Sequence, residues 1–201
     1  MKFKYYDMLS TLLTGAVLLF VILYACNLNE ILAMNEFFLI CLAYMAGYVL
    51  NAVSALFEKF YYCTMGGEPS DILLTPNPNG GPVGYGRIKF YDSNKAVKLL
   101  KEETGNPDAT QGQMFSCAMS YSNSNFDSRV PDFNARYAFS RVFLTLDIIV
   151  TILLAFSFYC EWWFWVVAVV VLVLSWNRCK ENGYYYAKEV IVEYLKAKKR
   201  N

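Results

Sequence analysis

The sequence predicts an all-α integral membrane protein with four transmembrane helices and a small, mainly helical cytoplasmic cap between spans 2 and 3. Three observations carry that prediction. Of the 201 residues, 56% are hydrophobic and only 17% are charged, against about 25% charged in ordinary soluble domains. Four apolar runs, residues 8–26, 37–57, 142–160 and 162–176, form two close pairs around a polar middle. A run of roughly 18 apolar residues suffices to cross about 30 Å of hydrocarbon as a helix. Finally, all 18 Lys and Arg residues fall on one side of the topology that these runs define.

Lys2 and Lys4 precede the first run, and the connection 27–36 holds Glu30 and Glu36 but no basic residue. The middle carries Lys59, Arg87, Lys89, Arg129, Arg136 and Arg141 among others, the second connection holds Glu161, and the tail is basic from Arg178 to Arg200. Basic residues accumulate on the cytoplasmic side of a bilayer. Both termini and the middle are therefore expected in the cytoplasm. The fourth run is the shortest and spans only if Trp162, Trp163 and Trp165 sit at headgroup level, where amphipathic rings concentrate. Trp176, Tyr5 and Tyr6 fit the opposite interface. The first run has a basic start and a sequence, Leu23-Tyr24-Ala25-Cys26, loosely like a lipoprotein cleavage site. Tyr24 stands where a small residue is wanted, so this run is expected to remain as a helix.

The expected organisation is a first hairpin with a helical extension over 1–64, a cap over 65–130, and a second hairpin with a C-terminal helix over 131–201. In the cap, the second span continues as a helix through 58–63 and Gly66-Gly67 ends it, glycine tolerating the left-handed cap geometry. A short helix follows at 71–74, then a Pro/Gly/Asn loop over 77–82 and a short strand near 87–91. Ser93 is the expected N-cap of a helix 94–103 whose apolar face is Ala96, Val97, Leu99 and Leu100. Asp108 caps a second helix, 109–121, with Met114, Phe115, Ala118 and Met119 inward. After a polar loop at 122–128, Pro131 opens a helix that runs into the third span. The fourth span extends through 184–198, with Gly183 a candidate kink. So short a cap is expected to pack on the helix extensions rather than build a large core of its own.

Composition excludes several chemistries. With no histidine, imidazole catalysis, His-ligated metals and His-based pH sensing are absent. The six cysteines show no CxxC pair, so no metal centre is expected, nor any other cofactor. Cys26 and Cys160 lie near the outer face and are expected as free thiols. Gly80-Gly81 and Gly84-x-Gly86 lack the lysine and the strand–turn–helix setting of a phosphate loop. Asp92, Glu102, Glu103 and Asp108 fit helix ends or solvated faces, so no enzyme is predicted. A net charge of +1 gives no field to attract nucleic acid.

What remains is a set of polar and small residues inside the spans. Ala43, Gly47, Asn51 and Ala55 recur every fourth position in the second span. Small residues at this spacing allow close helix packing in lipid, within one chain or between subunits of a homo-oligomer. Asn51 is the natural bonding group on that stripe, with Ser54 beside it. Asp147 lies in the third span, where a carboxylate costs about 2.5–3.5 kcal/mol at mid-bilayer and less near the interface. It must face protein or water, and Asn51, Ser54 or Glu58 are its expected partners. In the tail, Tyr186, Val190 and Tyr194 share a face that packs on the cap or meets a partner.

At Gly66-Gly67-Glu68-Pro69-Ser70 and Tyr184-Tyr185-Tyr186-Ala187-Lys188-Glu189, the chain resembles uncharacterised small bacterial membrane proteins with four spans. Some proteins of that layout are membrane subunits or effectors in anti-phage defence, and the resemblance implies such a role here without assigning any residue. The expected function is that of a non-enzymatic, oligomeric inner-membrane protein. Its cap senses a signal or partner, and its spans alter membrane permeability. The alternative is a membrane anchor or scaffold that recruits a soluble cytoplasmic protein.

Overall fold

The computed structural model describes residues 2–28, 35–78, 80–124 and 128–200. In chain order the elements are α1 (Lys2–Ala25), α2 (Glu36–Leu56), α3 (Glu58–Met65), α4 (Pro69–Leu73), β1 (Val83–Tyr85), β2 (Ile88–Phe90), α5 (Ser93–Thr104), α6 (Gln111–Ser124), α7 (Val130–Phe158) and α8 (Trp162–Arg200). They form two compact units, one of Met1–Lys59 with Ala138–Cys179 and one of Phe60–Tyr137 with Lys180–Asn201. Helices α7 and α8 each contribute to both. The sequence-based division had instead placed all of 131–201 with the second hairpin.

Four helices, α1, α2, α7 and α8, are long and apolar enough to cross a membrane. Their outward faces are apolar too: Phe20, Met45, Leu56, Val170 and Phe156 are exposed, the last by 80%. A helix apolar on every face belongs in a hydrophobic surround rather than at a water-facing surface. The chain is a multi-pass membrane protein. The side chains of Tyr5 and Tyr6, and all of Glu30, lie outside the described residues.

Inside the first unit, Leu18, Leu50, Val142 and Leu146 from α1, α2 and α7 form a buried cluster, with Ile149 and Val150 beside it. Buried hydroxyls are satisfied locally. Thr14 donates to the Ser10 carbonyl (3.0 Å), Ser54 to the Asn51 carbonyl (2.8 Å) and Thr145 to the Arg141 carbonyl (2.9 Å). This back-bonding gives each hydroxyl a partner on its own helix in an apolar interior. Asn35 caps α2 by accepting the Phe37 N–H at 2.9 Å. Between α7 and α8, the indole N–H of Trp163 donates to Glu161 Oε2 and that of Trp165 to the Tyr159 carbonyl, both at 3.1 Å.

The helix expected over 58–63 is present as α3, separated from α2 by Phe57 alone, whose N–H still reaches the Val53 carbonyl at 3.2 Å. Gly66 and Gly67 end α3 at φ 89° and 120°, and the Gly67 N–H closes on the Tyr62 carbonyl at 2.9 Å. α8, by contrast, runs unbroken through Gly183. Gly183 answers a packing need rather than a kink: a Cβ there would stand 3.2 Å from Pro69 Cγ and 3.3 Å from Tyr137 Cε2.

The second unit has a continuous core of its own, larger than its length suggested. The α8 residues Tyr184, Ala187, Val190, Ile191 and Tyr194 pack with Leu73, Ile88, Phe90, Leu100 and Ala118. One strand was expected and a hairpin is found: β1 and β2 pair antiparallel, Val83 opposite Phe90 and Tyr85 opposite Ile88. Gly84 and Gly86 serve this hairpin. Gly86, at φ 55°, opens the two-residue turn, and a side chain on Gly84 would collide with the Ile88 carbonyl. Tyr85 stacks on Tyr184, with centroids 5.6 Å apart, and Lys180 sits over its ring.

Both cap assignments shift. Asp92, not Ser93, holds the N-cap position of α5. The buried Ser93 hydroxyl instead reaches the Leu73 carbonyl at 2.8 Å and the Thr75 carbonyl at 3.1 Å. α6 begins at Gln111 under a reciprocal Thr110–Gln113 capping box, Thr110 Oγ1 accepting the Gln113 N–H and Gln113 Oε1 the Thr110 N–H. Asp108 takes no part in it.

Glu103, Tyr121 and Lys198 tie α5, α6 and α8 together. Lys198 Nζ lies 2.5 Å from Glu103 Oε2, Tyr121 donates its hydroxyl to Glu103 Oε1, and Lys198 stands 5.1 Å from the Tyr121 ring centroid. The Lys198 bond, and next the Tyr121 bond, hold the Glu103 carboxyl below the usual glutamate range. A carboxyl depressed by folding contributes stability that is fully present above its unfolded value and is lost as pH falls through its folded one. The amides of 194–199 are therefore expected to keep their hydrogen-exchange protection from pH 7 to about pH 5 and to lose it on further acidification. Glu103→Gln should remove that acid dependence.

Candidate functional site

Two of the polar groups singled out, Asp147 and Glu58, belong to interhelical pairs. Asp147 on α7 accepts a hydrogen bond from the Ser175 hydroxyl on α8. Arg141, two turns earlier on α7, pairs with Glu58 at the start of α3, with Nη1 2.8 Å from Oε1. Their side chains are 14% and 30% exposed, so both charges are largely withdrawn from solvent. Ser140 and the buried Cys179 lie next to this pair: Ser140 is within hydrogen-bond reach of the Cys179 thiol, which also feels the charges of Arg141 and Glu58.

This arrangement corrects the expected partners of Asp147. None of Asn51, Ser54 and Glu58 holds it. Ser54 turns its hydroxyl onto its own helix, and Glu58 is engaged by Arg141. Ser175 had not been singled out, because a lone serine in a valine-rich run gives no sign of which helix it faces.

The stripe on α2 is corrected as well. The buried positions are Ala43, Gly47, Leu50 and Ser54, while Asn51 and Ala55 are exposed. A strict four-residue repeat advances about 40° per step on a helix of 3.6 residues per turn, so its later members rotate out of the contact. What fills the seam is α1. A Cβ on Gly47 would overlap the Thr11 carbonyl, and one on Gly15 would overlap the Ala43 carbonyl and the Gly47 nitrogen. Each helix thus presents a glycine to the other's backbone. The small residues join the two helices of one hairpin, in the manner of small-residue contacts in lipid.

Tyr186, Val190 and Tyr194 do not form a partner surface. Val190 and Tyr194 are fully buried in the second unit's core. Tyr186 is half-buried, parallel to Tyr137 with centroids 6.1 Å apart and edge-on to Phe115, its hydroxyl on Met119 Sδ at 3.2 Å.

Comparison with known proteins gives no matching family model, no matching curated protein and no matching solved structure. The chemistry rests on the geometry. All six cysteines are unbridged. Among the described residues no group of three or more His, Cys, Asp or Glu side chains is placed to hold a metal ion. Asp147 is an ionisable acceptor whose one described donor is the Ser175 hydroxyl, with no opposite charge at hydrogen-bond distance among the described residues.

Proposed function

We propose that this protein is an oligomeric membrane effector. Its spans change the permeability of a bacterial inner membrane, and its second unit, on the cytoplasmic side, receives the controlling signal. It is not an enzyme, and its setting is the anti-phage defence that its four-span layout suggests. The observation that carries the reading is Asp147: an ionisable carboxylate inside a spanning helix, held by Ser175 rather than by a cation. Such residues are costly in lipid and are most often retained where ions or protons pass. Helices α7 and α8, each contributing to both units, offer a continuous route from signal to spans.

Membrane potential in cells expressing the protein tests this. Induction should depolarise the wild type, and Asp147→Ala, inserted to the same level, should depolarise about tenfold less. Wild-type protein that never depolarises a membrane, with or without co-expressed candidate triggers, would rule the proposal out. A second reading, a membrane anchor for a soluble partner, is favoured by the same bond taken structurally, since a carboxylate satisfied by a neighbouring hydroxyl needs no water path. It predicts a stoichiometric partner on pull-down and a silent Asp147→Asn.

A further inference from the structure

The segment that leads into the third span holds two arginines against one aromatic ring. Arg129 immediately precedes α7 and Arg136 lies in its second turn. Their guanidinium carbons stand 5.4 Å and 5.6 Å from the centroid of Phe133. The two charges are thus no farther apart than those distances together, although seven positions separate them in sequence. The ring is itself backed by Tyr185 of α8, with centroids 6.2 Å apart. Both arginines are exposed, and all four residues belong to the second unit.

Contact with a ring face steadies each guanidinium, but a ring has no net charge with which to neutralise two cations. No carboxylate does so either. Among the described residues neither arginine forms an ion pair, although Asp132 lies three positions from one and four from the other. Two planar donor forks therefore stand close together, solvent-accessible and uncompensated. Guanidinium forks match the oxygens of a phosphate, which they bind in bidentate fashion.

Position along α7 selects the source of that phosphate. The helix is unbroken from Val130 to Phe158, so Arg136 comes six residues, about 9 Å of helix rise, before the apolar run that starts at Val142. The headgroup layer extends roughly 5–8 Å beyond the hydrocarbon on each side, and long basic side chains near a helix end reach back to it. A lipid phosphate is held at that depth, whereas a free one is not.

We propose that Arg129 and Arg136 bind the phosphate of an anionic phospholipid in the leaflet from which α7 enters the bilayer. The bound headgroup fixes the start of the third span at the membrane surface. Lipid binding is read without any flux, so its failure and that of the permeability reading are distinguishable.

Native mass spectrometry of the full chain in detergent tests it, by titration with phosphatidylglycerol and with phosphatidylcholine of the same acyl chains. The first phosphatidylglycerol should bind at least about tenfold more tightly than phosphatidylcholine, and equimolar inorganic phosphate should not displace it. A basic side chain near an anionic lipid surface is worth a factor of about five. Arg129→Gln and Arg136→Gln should therefore each weaken the first phosphatidylglycerol about fivefold, and the double variant about twentyfold. Lys95→Gln with Lys98→Gln removes the same charge from exposed positions on α5 and should leave binding unchanged. Equal binding of the two lipids by the wild type, displacement by equimolar inorganic phosphate, wild-type binding in the double arginine variant, or an equal loss in the double lysine variant would overturn the proposal. The first two outcomes need only the wild type, so they decide even where a variant fails to fold.

Discussion

Gly47→Leu is expected to leave little folded protein. On α2 the residue faces the Thr11 carbonyl of α1, and any side chain at that point overlaps main-chain atoms that cannot rotate away. The helices must then separate, which removes the neighbouring contacts of Gly15, Ala43 and Leu18 as well. Overpacking a well-fitted interior costs about 1–3 kcal/mol, and a forced separation of two backbones adds lost packing along the whole seam. A total of about 3 kcal/mol or more is expected, enough to unfold a marginally stable domain. Gly15→Leu should behave the same way from the other side. Tyr48→Leu, one position along α2 but 67% exposed, should be close to neutral. Detergent-denaturation curves of the three variants check the expectation; equal stability of Gly47→Leu and Tyr48→Leu would contradict it.

Arg141→Met is the second large effect. It strands the Glu58 carboxylate at the junction of α2 and α3, where the two side chains are only 14% and 30% exposed. Removing one member of a buried ion pair costs about 3–5 kcal/mol; partial exposure of Glu58 brings this pair below that range, to about 2–3 kcal/mol. Glu58→Gln should cost comparably, because it removes the same charge–charge contact. The double variant Arg141→Met with Glu58→Gln should recover most of the loss, since replacing both partners removes the uncompensated charge. Thermal unfolding of the four proteins gives the cycle. Additive losses in the double variant would show that the pair is not a unit.

The spans were legible because a membrane helix declares itself by length and composition, which need no tertiary knowledge. Rotation about each helix axis was not. Asn51 and Leu50 are adjacent in sequence, and only the folded packing shows that Leu50 and Ser54 turn inward while Asn51 turns outward. The same ignorance of facing hid Ser175 from Asp147. In the second unit, Thr110-x-x-Gln113 was readable as a capping box before an apolar face and was passed over for Asp108. The β1–β2 hairpin was half seen, because its first strand has only three residues with a glycine at their centre. Ser93 looked like a cap because serine often is one. Its role as a buried bridge to the Leu73 and Thr75 carbonyls depends on a long-range approach that no local pattern encodes.

The proposed membrane effector requires four crossings with the basic residues on the inner side. Two native thiols report on that directly. Cys160, in the turn after α7, and Cys63, on α3, are both exposed on the protein surface. In variants retaining one cysteine each, a membrane-impermeant maleimide applied to intact cells should label Cys160 and leave Cys63 untouched until the cells are lysed. Labelling of Cys63 in intact cells, or of Cys160 only after lysis, would contradict the account.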